Sequence, residues 1–147
     1  MLVVGDGPEM GKLQHITEEL GIASYVHFMG FQDNPYIFMT HFDVLVLPSL
    51  YETFSYVSIE AMTCGVPVIS TRWYGCEEIY NNMNNCILVS INNSEELAEA
   101  IFRVLIDNEL KNKLRKNAME LVYKYDVSKV VPQYEQAIMN VLETVNS

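Results

Sequence analysis

Positive charge is the scarcest ingredient of this chain. Its 147 residues carry 9 Lys and Arg against 19 Asp and Glu, a formal net charge of −10, and its pI is near 4.6. Only Lys12 and Arg72 precede Arg103, and the other seven cations fall between Arg103 and Lys129. This balance excludes a nucleic-acid partner, because phosphate backbones are held by clustered Lys and Arg. The one basic cluster, Lys111, Lys113, Arg115 and Lys116, is interrupted by apolar residues at helical spacing and reads as a solvated helix face. Cysteine and histidine are equally thin. Cys64, Cys76 and Cys86 form no Cys-x-x-Cys pair, and an odd count fits reduced thiols in a cytoplasm. His15, His27 and His41 lack metal-ligand spacing, so no metal site is expected. No apolar run reaches the roughly 20 residues of a membrane span, and no basic stretch leads a shorter one. The expectation is a cytoplasmic domain, with peripheral attachment at the inner membrane face left open. Serine-hydrolase and zinc-protease signatures, internal repeats and linkers are all absent.

What is present is enough apolar material for a core: 50% of the residues are hydrophobic, which excludes disorder. Short β-type runs alternate with helical patterns. Leu2-Val3-Val4 ends at Gly5-Asp6-Gly7-Pro8, and a helix is predicted over 9–20 with Gly21 placed to stop it. A strand is predicted over 25–28, with a turn near Gly30. A short helix is predicted after Asn34-Pro35, and an apolar strand over 43–47 closed by Pro48. A helix near 54–64 precedes Gly65 and the strand 67–70. The last strand, 86–89, is followed by Asn93-x-x-Glu96, which reads as a capping box. Helices over about 108–123 and 128–145 finish the chain. Such alternation with short connections predicts an α/β fold: a doubly wound, mainly parallel, Rossmann-like sheet in a single domain over 1–147. Ligands in such folds bind beyond the carboxyl ends of the strands.

One charged residue, Glu60, stands in the stretch 53–71. Helical spacing puts it between Val57, Ala61 and Cys64 on a helix apolar nearly all round, where a lone buried carboxylate would be costly. Either it is structural, accepting backbone N–H bonds or pointing outward, or it has a ligand. Glu52 lies eight positions earlier, before the helix start. It could be a simple helix-start anion, or the two acids could face one ligand. Between them, the N–H groups of Phe54, Ser55 and Tyr56 are unpaired donors suited to a phosphate. Gly5-x-Gly7 with the next glycine at Gly11 is a weak match to a dinucleotide fingerprint and reads better as a tight turn into a helix.

Three segments together carry a resemblance. They are Val3-Val4-Gly5-Asp6-Gly7-Pro8, then Val26-x-Phe28-x-Gly30, then Val46-Leu47-Pro48-Ser49-x-x-Glu52-x-Phe54-x-x-Val57-x-x-Glu60-Ala61-Met62-x-x-Gly65-x-Pro67-Val68-Ile69. This order resembles the C-terminal, donor-binding half of GT-B glycosyltransferases, and within them the large retaining subgroup, family 4, marked by two Glu separated by seven residues. The resemblance implies that Glu52 contacts the donor sugar hydroxyls as the catalytic residue of the set, and that Glu60 holds the nucleotide ribose. It further implies that backbone N–H groups around Phe54, Ser55 and Tyr56 hold the diphosphate, that Gly30 and Phe31 line the base, and that Thr53, Gly5 and Gly7 complete the donor site. Transfer of a hexose from a UDP- or GDP-sugar would retain configuration through an oxocarbenium-like step, without a metal or other cofactor. The acceptor would be a glycan, a lipid-linked sugar or a similar molecule, in polysaccharide biosynthesis.

The departures matter too. Thr53 and Ser55 stand where glycine is frequent, and Tyr74-Gly75-Cys76-Glu77-Glu78 has lost one glycine of a Gly-Gly-x-x-Glu loop while Glu78 matches. The family's preceding strand, Arg/Lys phosphate loop and acceptor domain have no counterpart here. The chain is therefore expected to be N-terminally truncated and inactive or nearly so alone, with open strand edges that invite self-association. A non-catalytic sugar-nucleotide-binding or partner subunit and a GT-B-like sugar-nucleotide epimerase are the alternatives.

Overall fold

The computed structural model describes residues 1–145. These gather into two compact units, the first ending at Phe38 and the second starting at Met39, where the sequence reads as one domain.

In the first unit, β1 (Leu2–Val3) pairs in parallel with β2 (His27–Phe28), Leu2 opposite His27 and Val3 opposite Phe28. The connection is right for a parallel pair, because it contains a helix, α1 (Met10–Glu19). Gly21 ends that helix as its position predicts. It adopts φ +66°, which lets the Ile22 N–H turn back to the Thr17 carbonyl at 2.9 Å. The predicted strand loses its first residue to a 3-10 turn, Ala23–Tyr25. Pro35 leads into a single helical turn, α2 (Tyr36–Met39).

The second unit holds three parallel strands, β3 (Leu45–Leu47), β4 (Val68–Thr71) and β5 (Ile87–Val89), in the order β3-β4-β5. The connections are helical: α3 (Tyr56–Thr63) follows β3, and α4 (Ser94–Ile106), α5 (Asn108–Val122) and α6 (Val127–Val145) follow β5. The strands read as continuous apolar runs because both sheet faces are covered. Val68 and Leu88 pack with Ala61 and Met62 of α3, with Trp73 and Tyr80, and with Ala118 and Leu121 of α5. Ile69, Ile87 and Val89 face the other way, onto Ala100 and Val104 of α4 and Leu110 and Leu114 of α5. The period-two alternation of the strands thus divides one apolar sequence between two cores.

The sequence-predicted single sheet is therefore two parallel sheets, of two and three strands, each within its own unit. Among the described residues, β1 pairs with β2, and β3 lies at one end of the order β3-β4-β5. The basic face on α5 is solvated at Lys113 and Lys116, but Lys111, expected to be solvated too, is 13% exposed and pairs its Nζ with Asp43 at 2.7 Å. No helix of the described residues is long and apolar enough to cross a membrane.

Candidate functional site

The carboxyl end of β3 is tied to its neighbour before it reaches α3. Thr71, the last residue of β4, donates its hydroxyl to the Ser49 carbonyl and also faces the Leu47 carbonyl at 3.4 Å. Ser49 in turn donates its own hydroxyl to Glu52 Oε1 at 2.9 Å. Glu52 is half-buried. A short polar chain therefore runs from the end of β4 to the Glu52 carboxylate and sets its position at the strand end, where α/β folds bind ligands. Thr53 is exposed. Phe54 is half-buried, its ring 5.1 Å from that of Tyr56 and 5.1 Å, edge-on, from that of Tyr125.

Ser55 carries the bend into α3. Its backbone is left-handed, φ 58° and ψ 63°, a conformation that costs a non-glycine residue about 1–2 kcal/mol. Its carbonyl accepts the Ser58 N–H at 3.0 Å and the Ser58 hydroxyl at 2.7 Å. Its own hydroxyl is buried and completes no hydrogen bond, although it lies beside the Tyr80 phenol. Among the described residues, the N–H groups of Phe54, Ser55, Tyr56 and Val57 find no acceptor. The first turn of α3 contains no acidic side chain to neutralise them. The helix start that the sequence marks for an anion thus begins two residues later than predicted, and its N–H donors are free.

Glu60 lies one turn further along α3. It is half-buried rather than enclosed, because Tyr56 and Val57 on the same helix are exposed. The expected burial penalty is smaller than the apolar sequence suggests. Among the described residues its carboxylate has no hydrogen-bond or ion-pair partner, so the structural alternative in which it accepts backbone N–H groups does not hold.

The segment after β4 closes into a 3-10 turn, Cys76–Glu78, opened by Gly75 at φ +86°. Burial pushes the Cys76 thiol up to about 11, and the thiol donates to Glu77 Oε2 at 3.2 Å. That hydrogen bond, with the Glu77 N–H and Arg72, holds the Glu77 carboxyl below its usual value. Arg72, one of the two cations before Arg103, is engaged here, its Nη1 3.1 Å from Glu77. Glu78 is exposed.

The first unit brings its own expected residues together. The Gly5 N–H donates to the Gly30 carbonyl at 2.8 Å, and both glycines have positive φ, +128° and +64°. Gly7 accepts the Met10 N–H at the start of α1, and Phe31 is 72% exposed. Gly5 and Gly30 form the joined carboxyl ends of β1 and β2, and Phe31 presents an open ring beside them.

Sequence reasoning missed Thr71, Ser58 and Tyr80. The Tyr80 phenol donates to Ser58 Oγ at 2.6 Å, and burial pushes its pKa above the usual tyrosine value, against the pull of Ser58. The signal for Ser58 was a fully buried serine in an apolar helix, which demands a partner. A shallow cavity of about 230 Å³ beside β5 and α4, touching Met83, Glu96 and Arg103, contains none of the expected site residues.

The α3 start therefore offers free backbone donors for an anion, flanked by one carboxylate held in place and one without partners, both suited to accept hydroxyl groups. Known proteins share this chain's pattern. Residues 1–121 match the family described as glycosyl transferases group 1. The N-acetyl-alpha-D-glucosaminyl L-malate synthase of Bacillus anthracis is 35% identical over 97% of this chain and 38% of its own length. The lipopolysaccharide core biosynthesis glycosyltransferase LpsE of Rhizobium meliloti is 31% identical over 92% of this chain and 40% of its own. Among solved structures, Anabaena Alr3699/HepE in complex with UDP superposes with a TM-score of 0.88 at 27% identity, over 95% of this chain and 40% of that one. The same protein is known in complex with UDP-glucose. The chain spans about two fifths of the length of these relatives.

Proposed function

Since the chain belongs to the glycosyl transferases group 1 family and has the α/β fold of GT-B glycosyltransferases, we propose that it binds a nucleotide-sugar donor for retaining transfer of a hexose. The acceptor in this reading is a glycan, a lipid or a similar molecule. The observation that carries the reading is the open start of α3: N–H groups of Phe54 to Val57 without acceptors, between Glu52 and a partnerless Glu60. The diphosphate lies against these donors, where the helix end is positive. Glu60 accepts the ribose hydroxyls, and Glu52, aligned by Ser49, contacts the sugar hydroxyls and favours the charge that develops at the sugar as the bond to the diphosphate breaks. Thr53 flanks this site. The complexes of Alr3699/HepE with UDP and UDP-glucose support a nucleotide-sugar ligand.

No cofactor and no metal take part in this reading. The leaving group's negative charge falls to the helix start, because cations are few. The same scarcity favours a second reading, a non-catalytic sugar-nucleotide-binding or partner subunit: Arg72 is paired with Glu77, and Lys12 with Glu9 at 3.0 Å. The proposed setting is cytoplasmic, supported by three unpaired cysteines, and self-association through sheet edges belongs to the same proposal.

Calorimetric titration with UDP and GDP tests the site. Binding by the wild-type chain that is weakened about 10- to 100-fold in Glu60→Ala is the expected result, and unchanged affinity in that variant removes Glu60 from the site. Incubation with a UDP-sugar and an acceptor then separates transfer from binding alone.

A further inference from the structure

A left-handed serine at the head of α3 needs something to keep it there. Glycine visits φ near +60° without penalty, whereas a side chain makes that bend unfavourable. Ser55 is nonetheless held at φ 58°, and buried groups converge on it. Ser58 is fully buried and Tyr80 nearly so, at 0% and 2% exposure. The Tyr80 hydroxyl donates to Ser58 Oγ at 2.6 Å, and the Ser58 hydroxyl donates onward to the Ser55 carbonyl at 2.7 Å. The Tyr80 ring is itself fixed edge-on against Trp73, centroids 6.1 Å apart. The relay thus begins in the segment after β4 and ends on the carbonyl of the strained residue.

We propose that Tyr80 and Ser58 are positioning residues that hold the left-handed bend at Ser55 and so aim the free N–H groups of Ser55, Tyr56 and Val57 at the ligand's diphosphate. The inference rests on the reading of the α3 start as a diphosphate site. Neither hydroxyl touches the ligand. Each acts on affinity through the backbone of Ser55, in the way that buried hydrogen-bonded pairs elsewhere fix a ligating group's direction. The function of the relay is specific to a residue with a side chain at this bend, because a glycine in its place would hold the same bend without help.

That dependence supplies the test. UDP and GDP are titrated calorimetrically into the wild-type chain and into Tyr80→Phe and Ser58→Ala, each made with Ser55 and again in a Ser55→Gly background, with thermal unfolding confirming a folded state. Tyr80→Phe keeps the ring packing and remains informative if Ser58→Ala does not fold. Each substitution is expected to weaken diphosphate binding about 3- to 10-fold with Ser55 present, and less than about twofold in the Ser55→Gly background. Equal weakening in both backgrounds, or none in either, overturns the relay while leaving the site standing. A wild-type chain that binds neither diphosphate overturns the reading of the site itself.

Discussion

Helices of the second unit begin in two opposite ways. α4 opens on Asn93, whose side chain accepts the Glu96 N–H at 3.0 Å, while the Glu96 carboxylate accepts the Ser90 N–H at 2.8 Å. Its first turn also carries Glu95 and Glu96 against the positive end of the helix. α5 is closed similarly by Asp107, which accepts the Leu110 N–H at 2.9 Å. α3 opens on Ser55, a residue of the same capping type, yet its hydroxyl caps nothing and the N–H groups around it stay free. The α4 and α5 starts carry a side-chain cap and acidic residues in the first turn, whereas the α3 start carries neither and holds a strained residue, which leaves it open to a ligand.

That contrast can be broken from either side. The largest expected effect is on the open start: Glu60→Ala lowers nucleotide affinity by about 10- to 100-fold, the value of hydrogen bonds to a charged group, with little change in stability. Calorimetry beside urea denaturation separates the two quantities. At the closed start the order reverses. Asn93→Ala costs about 1 kcal/mol of stability by loss of its cap and leaves nucleotide affinity unchanged. Ser55→Ala, at the corresponding place on α3, changes stability by less than about 0.5 kcal/mol, since no cap bond is lost.

The smallest effect is acidic. The Ser90 N–H holds the Glu96 carboxyl below its ordinary 4.5, and the Ser128 hydroxyl holds that of Asp126 below its ordinary 3.8. A carboxyl depressed in the folded state adds stability that is complete above its unfolded value and disappears as pH falls through the folded one. The urea midpoint is therefore expected to decline below about pH 4.5, and Glu96→Gln to flatten the upper part of that decline.

The closed start was legible in the sequence and the open one only in part. Asn93-x-x-Glu96 announces its cap within four residues, because capping is a local matter of side chain and nearby N–H. The finer detail was not legible. Glu96 reaches Ser90 at the exit of β5 rather than the Asn93 N–H, which depends on the path of the chain between them. At α3, the Glu52 and Glu60 spacing and the helix pointed to the same helix start. The left-handed Ser55 stayed hidden because its support comes from Tyr80, 22 positions beyond Ser58 in the sequence, and no local rule pairs them. Val68 and Ile69 were legible as a strand, whereas their full burial and the division of the strands into two sheets depend on which strands meet.

The most direct measurement is an amide-detected NMR titration of the chain with UDP and with GDP. An open, ligand-binding start to α3 requires that the amides of Ser55, Tyr56 and Val57 shift on addition of one of these diphosphates, while those of Glu96 and Leu110, closed by their own caps, remain in place. Amides of the α3 start that stay unmoved by a bound diphosphate, or that move no more than those of the capped helices, would contradict it.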